Sequence, residues 1–258
     1  MGFIPNKENV LTYWRIILEA SPRSEIFKYI YRRARGKRMD FDQDVYIINN
    51  GLRLNCGRLM NNCSVACSQF EKDLSPEFKD MKVGMDIGAN IGKHTVDMAK
   101  TCDMVIAIEP DKDSYKLLEE NIACNDIDNK IVAYNIACGK KKGIVSFFRD
   151  AVYPTSNSIT VKKNEQMTEE KVECDTVDNI CNGIMLDIIK VDVEGGELDT
   201  LKGAKKTIDR CKPRIIFEAW DKAAADEIKD YLKRWDYNFT NLDTYNYLAE
   251  VKNSKEDK

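Results

Sequence analysis

Histidine is nearly missing from this chain: His94 is the only one in 258 residues. That rules out paired-histidine metal centres and leaves a zinc reading of Cys56, Cys63 and Cys67 weak, so no metal is assigned. No apolar run approaches the ~20 residues that a bilayer-spanning helix needs. The opening MGFIPNKENV lacks the basic stretch and apolar core of a secretory signal. Asn6 stands where an acylation signal at Gly2 would want Ser or Thr. None of the nine cysteines (56, 63, 67, 102, 124, 138, 174, 181, 211) forms a Cys-x-x-Cys pair. An odd, unpatterned set reads as reduced thiols in a cytoplasmic protein. Excess positive charge is also lacking: 40 Lys and Arg stand against 43 Asp and Glu, for a net charge of −3. Nucleic acid is therefore not favoured as a partner. There is no internal repeat and no low-complexity segment.

Hydrophobic residues make up 43% and charged residues 32% of the chain, which fits a soluble globular protein. The length suits one large α/β domain with an appendage. The informative stretch is Lys82 to Pro110, KVGMDIGANIGKHTVDMAKTCDMVIAIEP. It reads as strand, glycine turn, amphipathic helix and strand, a βαβ unit with strands buried on both faces. Gly88 and Gly92 permit a tight turn and a close ligand approach. The helix that follows points free N–H groups at the same crevice. Glu109 lies about twenty residues beyond Gly88, where a carboxylate accepts ribose hydroxyls. Asn90 replaces the second glycine of the dinucleotide fingerprint, and Asp86 would repel a pyrophosphate. An acid there suits the ammonium and sulfonium groups of S-adenosylmethionine.

Residues 1–40 read as two helices, with Val10, Trp14 and Ile17 on one stripe and Phe27, Ile30 and Tyr31 on another. The second helix ends in a basic run, Tyr31 to Arg38, read as a solvated helix end ahead of an anion-binding patch. Val45 to Cys56 predicts a hairpin about Asn49-Asn50-Gly51. Residues 57–80 predict a helix and a loop. Strands are expected at 130–136, 143–148, 171–176, 184–193 and 214–217, and helices around Leu118, Leu201 and Ile228. Residues 153–170 read as a loop or β-excursion over the site. Two terminal strands would add one antiparallel strand to a doubly wound, mostly parallel sheet. The division is residues 1–80 as a helical and hairpin extension shaping an acceptor site, 81–251 as the donor-binding domain, and 252–258 as a disordered tail.

Val83-Gly84-Met85-Asp86-Ile87-Gly88-Ala89-Asn90-Ile91-Gly92-Lys93-His94-Thr95 resembles the first motif of the FkbM family of S-adenosylmethionine-dependent methyltransferases. Ile108-Glu109-Pro110 resembles its second motif. Ile189-Lys190-Val191-Asp192-Val193-Glu194-Gly195-Gly196-Glu197, continuing to Leu201-Lys202-Gly203-Ala204, resembles its most specific block, with Gly196 where Ala is commoner. Pro213 to Glu218 matches the strand that closes the family domain. The resemblance covers roughly residues 80–220. It implies the class I methyltransferase fold (Rossmann-like) and O-methylation of a sugar, polysaccharide or secondary metabolite.

The donor set is then Asp86, Gly88, Ala89, Asn90, Gly92, Thr95, Glu109, Pro110, Asn135 and Asp192. The catalytic candidates are Asp192, His94, Glu194 and Glu218. Asp192 would orient or deprotonate the acceptor, and it shares a strand face with Glu194 if the extension persists. A helix N-terminus keeps a histidine neutral, so His94 could act as a base. The plainer roles are helix capping for Glu194 and Glu197, and a salt bridge for Glu218. Partners are a small-molecule or glycan acceptor, and self-association into a homo-oligomer is left open. The competing activities are RNA methylation, through Arg32 to Arg38, and a nucleotide-binding oxidoreductase.

Overall fold

The computed structural model describes residues 16–34, 41–67, 73–150, 157–159, 165 and 167–251. Val10, Trp14, the side chains of Arg32 to Arg38 and the charged tail fall outside them. The described chain opens with β1 (Ala20–Ser21), α1 (Arg23–Ala34), β2 (Tyr46–Asn49), β3 (Leu52–Asn55) and α2 (Met60–Ala66). After a 3₁₀ turn, Ser75–Phe78, come β4 (Val83–Ile87), α3 (Lys93–Thr101), β5 (Met104–Ile108), α4 (Lys112–Ala123), β6 (Ile131–Tyr134) and β7 (Ala137–Cys138). Next are β8 (Gly143–Arg149), β9 (Thr168–Asp175), α5 (Val177–Cys181), β10 (Ile188–Val191), α6 (Glu197–Lys202) and α7 (Lys205–Cys211). The chain closes with β11 (Arg214–Glu218), α8 (Lys222–Leu232), β12 (Tyr237–Asn241) and β13 (Asn246–Val251).

The central sheet runs β12-β13-β11-β10-β4-β5-β6. β6, β5, β4, β10 and β11 are parallel, while β13 is antiparallel to both β11 and β12. The terminal hairpin thus brings two strands rather than one, with β13 inserted between β11 and β12. Strand order reverses between β4 and β10, and the carboxyl tips on either side of such a switch frame a crevice.

Buried alternation builds the core. Ile189, Val191, Ile215 and Phe217 face the cluster completed by Leu201, Ile208, Ile228 and Leu232 from the helices. Ile188 and Ile216 face the other way, onto Met98, Cys102, Leu74 and Phe78. Both faces are covered, so the parallel strands read as continuous apolar runs.

Three expectations shift. The strand expected over 184–193 is confined to Ile188–Val191, because Asp187 turns its carboxylate onto the N–H groups of Lys82 and Val83. The helix expected through Leu201 and Ile208 breaks at Gly203, where a Cβ would lie 2.1 Å from the Gly139 carbonyl oxygen. The stripe of Phe27, Ile30 and Tyr31 is the exposed face of α1, while Ile26 and Tyr29 are buried. A mean hydrophobic spacing of three and four fits either face of a short helix, so periodicity alone chose the wrong one.

The N-terminal sheet β1-β2-β3 has its own core, which reaches Ile91 and Val96 beside the donor loop. Its hairpin turns at Asn50 and Gly51, both left-handed as a type I′ turn requires. Cys56, Cys63 and Cys67 are buried in this core. The excursion after β6 forms a separate sheet, β7-β9-β8, with Phe148 also bridging Ser158. Among the described residues, no helix is long and apolar enough to cross a membrane.

Candidate active site

The glycine loop after β4, the expected donor loop, is set by backbone contact. At the end of β4 the chain turns at Gly88 (φ +82°), and a Cβ there would sit 1.7 Å from the Asp192 carbonyl oxygen. Only glycine lets the two strand tips meet this closely. The N–H groups of Gly88 and Ala89 both donate to the Ile108 carbonyl, at 2.9 and 3.0 Å. Asn90 (φ +50°) donates its N–H to Glu109 Oε2 at 2.8 Å, and Asp111 donates its N–H to Glu109 Oε1 at 2.8 Å. Glu109 is 6% exposed. Burial pushes its carboxyl up to about 8, opposed by the N–H groups of Asp111 and Asn90. The Asn90 Oδ1 is buried without a hydrogen-bond partner. A buried acceptor lacking a donor needs an explanation, and a ligand with N–H groups would supply one.

Gly88, Ala89, Asn90, Glu109, Pro110 and Asp192 line one cavity of about 750 Å³, within the usual range for small-ligand sites. Asp86, Gly92, Thr95 and Asn135 do not lie on its wall. Asp86 is buried beneath the turn, where its Oδ2 accepts from Thr95 Oγ1 at 2.6 Å. Gly92 approaches Leu118 of α4. Asn135 ties two strand tips by donating to the carbonyls of Glu109 and Pro110, at 2.8 and 3.1 Å. These four shape the donor loop from behind.

The other end of the cavity is acidic. Asp192, Glu194 and Glu218 all line it, as does His94 in the first turn of α3. His94 is mostly buried, its ring in a T-shaped arrangement with Phe78. Asp192 and Glu194 do not share an extended face, because Glu194 is left-handed (φ +58°). Glu197 causes this by accepting the N–H groups of Val193 (3.1 Å) and Gly195 (3.0 and 3.1 Å), which folds the loop back on its own helix. Burial raises the Glu197 carboxyl above its ordinary value despite those donors.

Carboxylate oxygens of Asp192, Glu194 and Glu218 lie within 4.8 Å of one another. The cation that faces them is the chain's own: Lys190, 3% exposed on β10, donates to Asp192 Oδ2 at 2.9 Å. Burial pushes the Glu218 carboxyl up to about 9, helped by the charge of Asp192 and its hydrogen bond, then by Glu194. Lys190 only partly offsets this. Trp220 and Tyr245 stand at the mouth with ring centroids 5.3 Å apart, 56% and 42% exposed. Phe147, Asn157 and Ser158 reach the wall from the excursion.

Sequence reasoning missed Lys190, Trp220 and Tyr245. A signal for Lys190 was present: a lysine inside an otherwise apolar central strand is buried with its charge and needs a partner. Trp220 and Tyr245 meet only through the β11–β13 pairing, which no local pattern announces.

A family model, described as the methyltransferase FkbM domain, matches residues 86–239, more than half of the chain. Among curated proteins, the chain is 23% identical over 170 residues to methyltransferase sdnD of Sordaria araneosa, covering 53% of this chain and 66% of that one. It is 28% identical over 130 residues to hexuronic acid methyltransferase AglP of Haloferax volcanii, covering 50% of this chain and 53% of that one. The chain thus spans between about half and just under two thirds of those relatives' own lengths. Among solved structures, methyltransferase FkbM from Methylobacillus flagellatus KT superposes with a TM-score of 0.52 at 16% identity, over 94% of this chain and 59% of that one. That likeness concerns the fold, a mixed α/β class I methyltransferase architecture with a mostly parallel central sheet. The matched domain begins at Asp86, under the donor loop, and ends at Phe239 in β12, so it takes in both strand tips that frame the cavity: the chain belongs to the FkbM methyltransferase family.

Proposed function

We propose that this protein is an S-adenosylmethionine-dependent O-methyltransferase acting on a hydroxyl of a sugar, polysaccharide or secondary metabolite. The observation that carries the reading is one continuous cavity with two unlike ends. One end has acceptor atoms suited to a nucleoside with an ammonium group, and the other a cluster of carboxylates. Glu109 would take the ribose hydroxyls, and Asn90 Oδ1 would take the ammonium of the donor's amino-acid end. Gly88 and Ala89 would form the floor, with Pro110 beside the base. The donor supplies an electrophilic methyl group carried on a sulfonium. Asp192 would orient the acceptor, with Glu194 and His94 beside it, while Trp220 and Tyr245 offer an apolar platform for a ring.

Transfer of this kind is chiefly a positioning task, since a held nucleophile gains most from proximity and alignment. Residues 81–251 would carry the donor site, and residues 1–80 would brace it. The acidic end disfavours polyanions, so neither a nucleic-acid backbone nor the uronate of the archaeal relative's named substrate is carried over to this chain. Calorimetric titration with S-adenosylmethionine and S-adenosylhomocysteine tests the donor, with binding of both expected. Binding of neither would reject it. Mass spectrometry of glycans and metabolites from cells with and without the gene then identifies the acceptor by one added CH₂.

A further inference from the structure

Three carboxylates and one ammonium share the acidic end of the cavity. Asp192, Glu194 and Glu218 approach within 4.8 Å, and the Lys190 ion pair goes to Asp192. Like charges at that spacing do not all ionise, and the protons belong to the group rather than to one residue. Lys190 makes Asp192 and Glu218 unequal. It is buried on β10 and ion-pairs with Asp192, just past the end of that strand, at 2.9 Å, while it offsets the pressure on Glu218 only in part. Glu218 sits across from that pair at the tip of β11, facing the charges of Asp192 and Glu194, and burial adds to the pressure on it. The neighbouring β13 offers Asn246, opposite Glu218 in register, and no further cation. The adjacent turn holds Asp243, whose carboxylate accepts from Tyr245 and Asn246. From the far side the wall carries His94 and Lys93 of α3, Asp73, and Glu109 at the other end.

We propose that Asp192 and Glu218 form a proton-sharing pair set by Lys190, and that a positively charged methyl donor drives the proton off Glu218, making it the base for the acceptor hydroxyl. This rests on the methyl-donor reading above. Glu218 loses its proton to solvent as the cavity gains a sulfonium charge. An opposite charge within ~4–6 Å lowers a carboxyl's pKa by ~1–3, which brings a group at about 9 toward neutrality. Glu218 then takes the hydroxyl proton while the oxygen forms the new C–O bond and the C–S electron pair stays on sulfur. The sulfonium charge and the Glu218 charge disappear together, so the pair returns to its starting state without a net change of charge.

The test needs no acceptor. S-adenosylmethionine and S-adenosylhomocysteine share their adenosine and amino-acid parts and differ by the methylated, charged sulfur. Proton exchange at Glu109 or at the ammonium contacts is therefore common to both. The full chain is titrated with each ligand at about pH 8, between the free and the lowered value of Glu218, in phosphate and in Tris, whose heats of ionisation differ. The expected result is that S-adenosylmethionine releases most of one proton more than S-adenosylhomocysteine. The difference should fade as the pH rises past the value at which Glu218 is already ionised. Glu218→Gln should bind both ligands with equal proton counts, and Asp192→Asn should shrink the difference. Binding of neither ligand would overturn the donor reading on which this rests. Equal counts in the unaltered chain, or a difference that survives Glu218→Gln, would overturn the coupling alone.

Discussion

The loop after β4 and the loop after β10 are built alike and anchored differently. Each places a left-handed residue other than glycine beside a glycine: Asn90 (φ +50°) near Gly88, and Glu194 (φ +58°) before Gly195 (φ +104°). In the first loop, the carboxylate that receives the N–H group is Glu109, borrowed from the neighbouring strand and exposed to the cavity. In the second it is Glu197, from the loop's own helix, which is not on the cavity wall. One anchor therefore holds its loop from the cavity wall itself. The other serves the fold alone and leaves Asp192 and Glu194 presented to the cavity. On the proposed function, loop conformation and ligand binding would be coupled at the first loop and separable at the second.

The sharpest way to break that comparison is Gly88→Ala. The new Cβ would overlap the Asp192 carbonyl in a left-handed backbone, so both loops move. Strain and overpacking together are expected to remove roughly 2–5 kcal/mol of stability, measured by urea unfolding, with binding of S-adenosylhomocysteine lost. Next is Glu197→Ala, which strips the acceptor from the N–H groups of Val193 and Gly195. Two unsatisfied donors should cost about 2–4 kcal/mol, while the donor affinity of the surviving folded protein falls less than about tenfold, because Glu109 is intact.

Glu109→Gln should do the converse. Gln keeps one acceptor for the loop, so the fold persists, yet donor affinity measured above about pH 8, where Glu109 is ionised, is expected to fall about 10–100-fold with the loss of charge-assisted bonds. The same residue gives a pH signature. Glu109 (about 8) and Glu218 (about 9) are both raised from 4.5 in the folded protein, so each binds its proton more tightly folded than unfolded. The stability they contribute is complete below about 4.5 and is lost as pH climbs through about 8 to 9. Melting temperature should fall across that window, and Glu109→Gln should flatten the fall. The smallest effect is expected from Gly196→Ala. Its backbone is an ordinary one, and a Cβ would meet only side-chain atoms of Ile159 and Val193 at 3.3 Å. A change within about 1 kcal/mol should follow, with donor affinity unaltered, in contrast to Gly88.

The loop after β4 was legible in the sequence because it is local. Strand, glycine turn, helix and strand occupy Lys82 to Pro110, and their spacing alone places Glu109 near Gly88. Even so, Asp86 and Thr95 are partners beneath the loop, because Asp86 lies short of the β4 tip against α3, while the cavity opens at the tip itself. The acidic end was legible in composition but not in geometry. Asp192, Glu194 and Glu218 were picked out as strand-tip acids, yet nothing local shows that Glu197 would bend Glu194 out of the strand. Lys190 was hidden by its position inside an apolar run. Trp220 and Tyr245 come together only once β13 pairs with β11, a long-range event outside any window of periodicity.

Asn121 carries a consequence of its own. Its amide donates to the carbonyls of Ile91 (2.7 Å) and Asn55 (3.1 Å), and its oxygen accepts the Asn55 N–H. One side chain of α4 thus spans the hairpin and the loop that would cradle the methyl donor. The described hairpin is thereby tied to the loop after β4 through that one amide. A trimmed version beginning at Asp86 would bare Ile91 and Val96 and leave Asn121 hanging. On the proposed function, variation in the hairpin would retune the cradle without touching any residue in it.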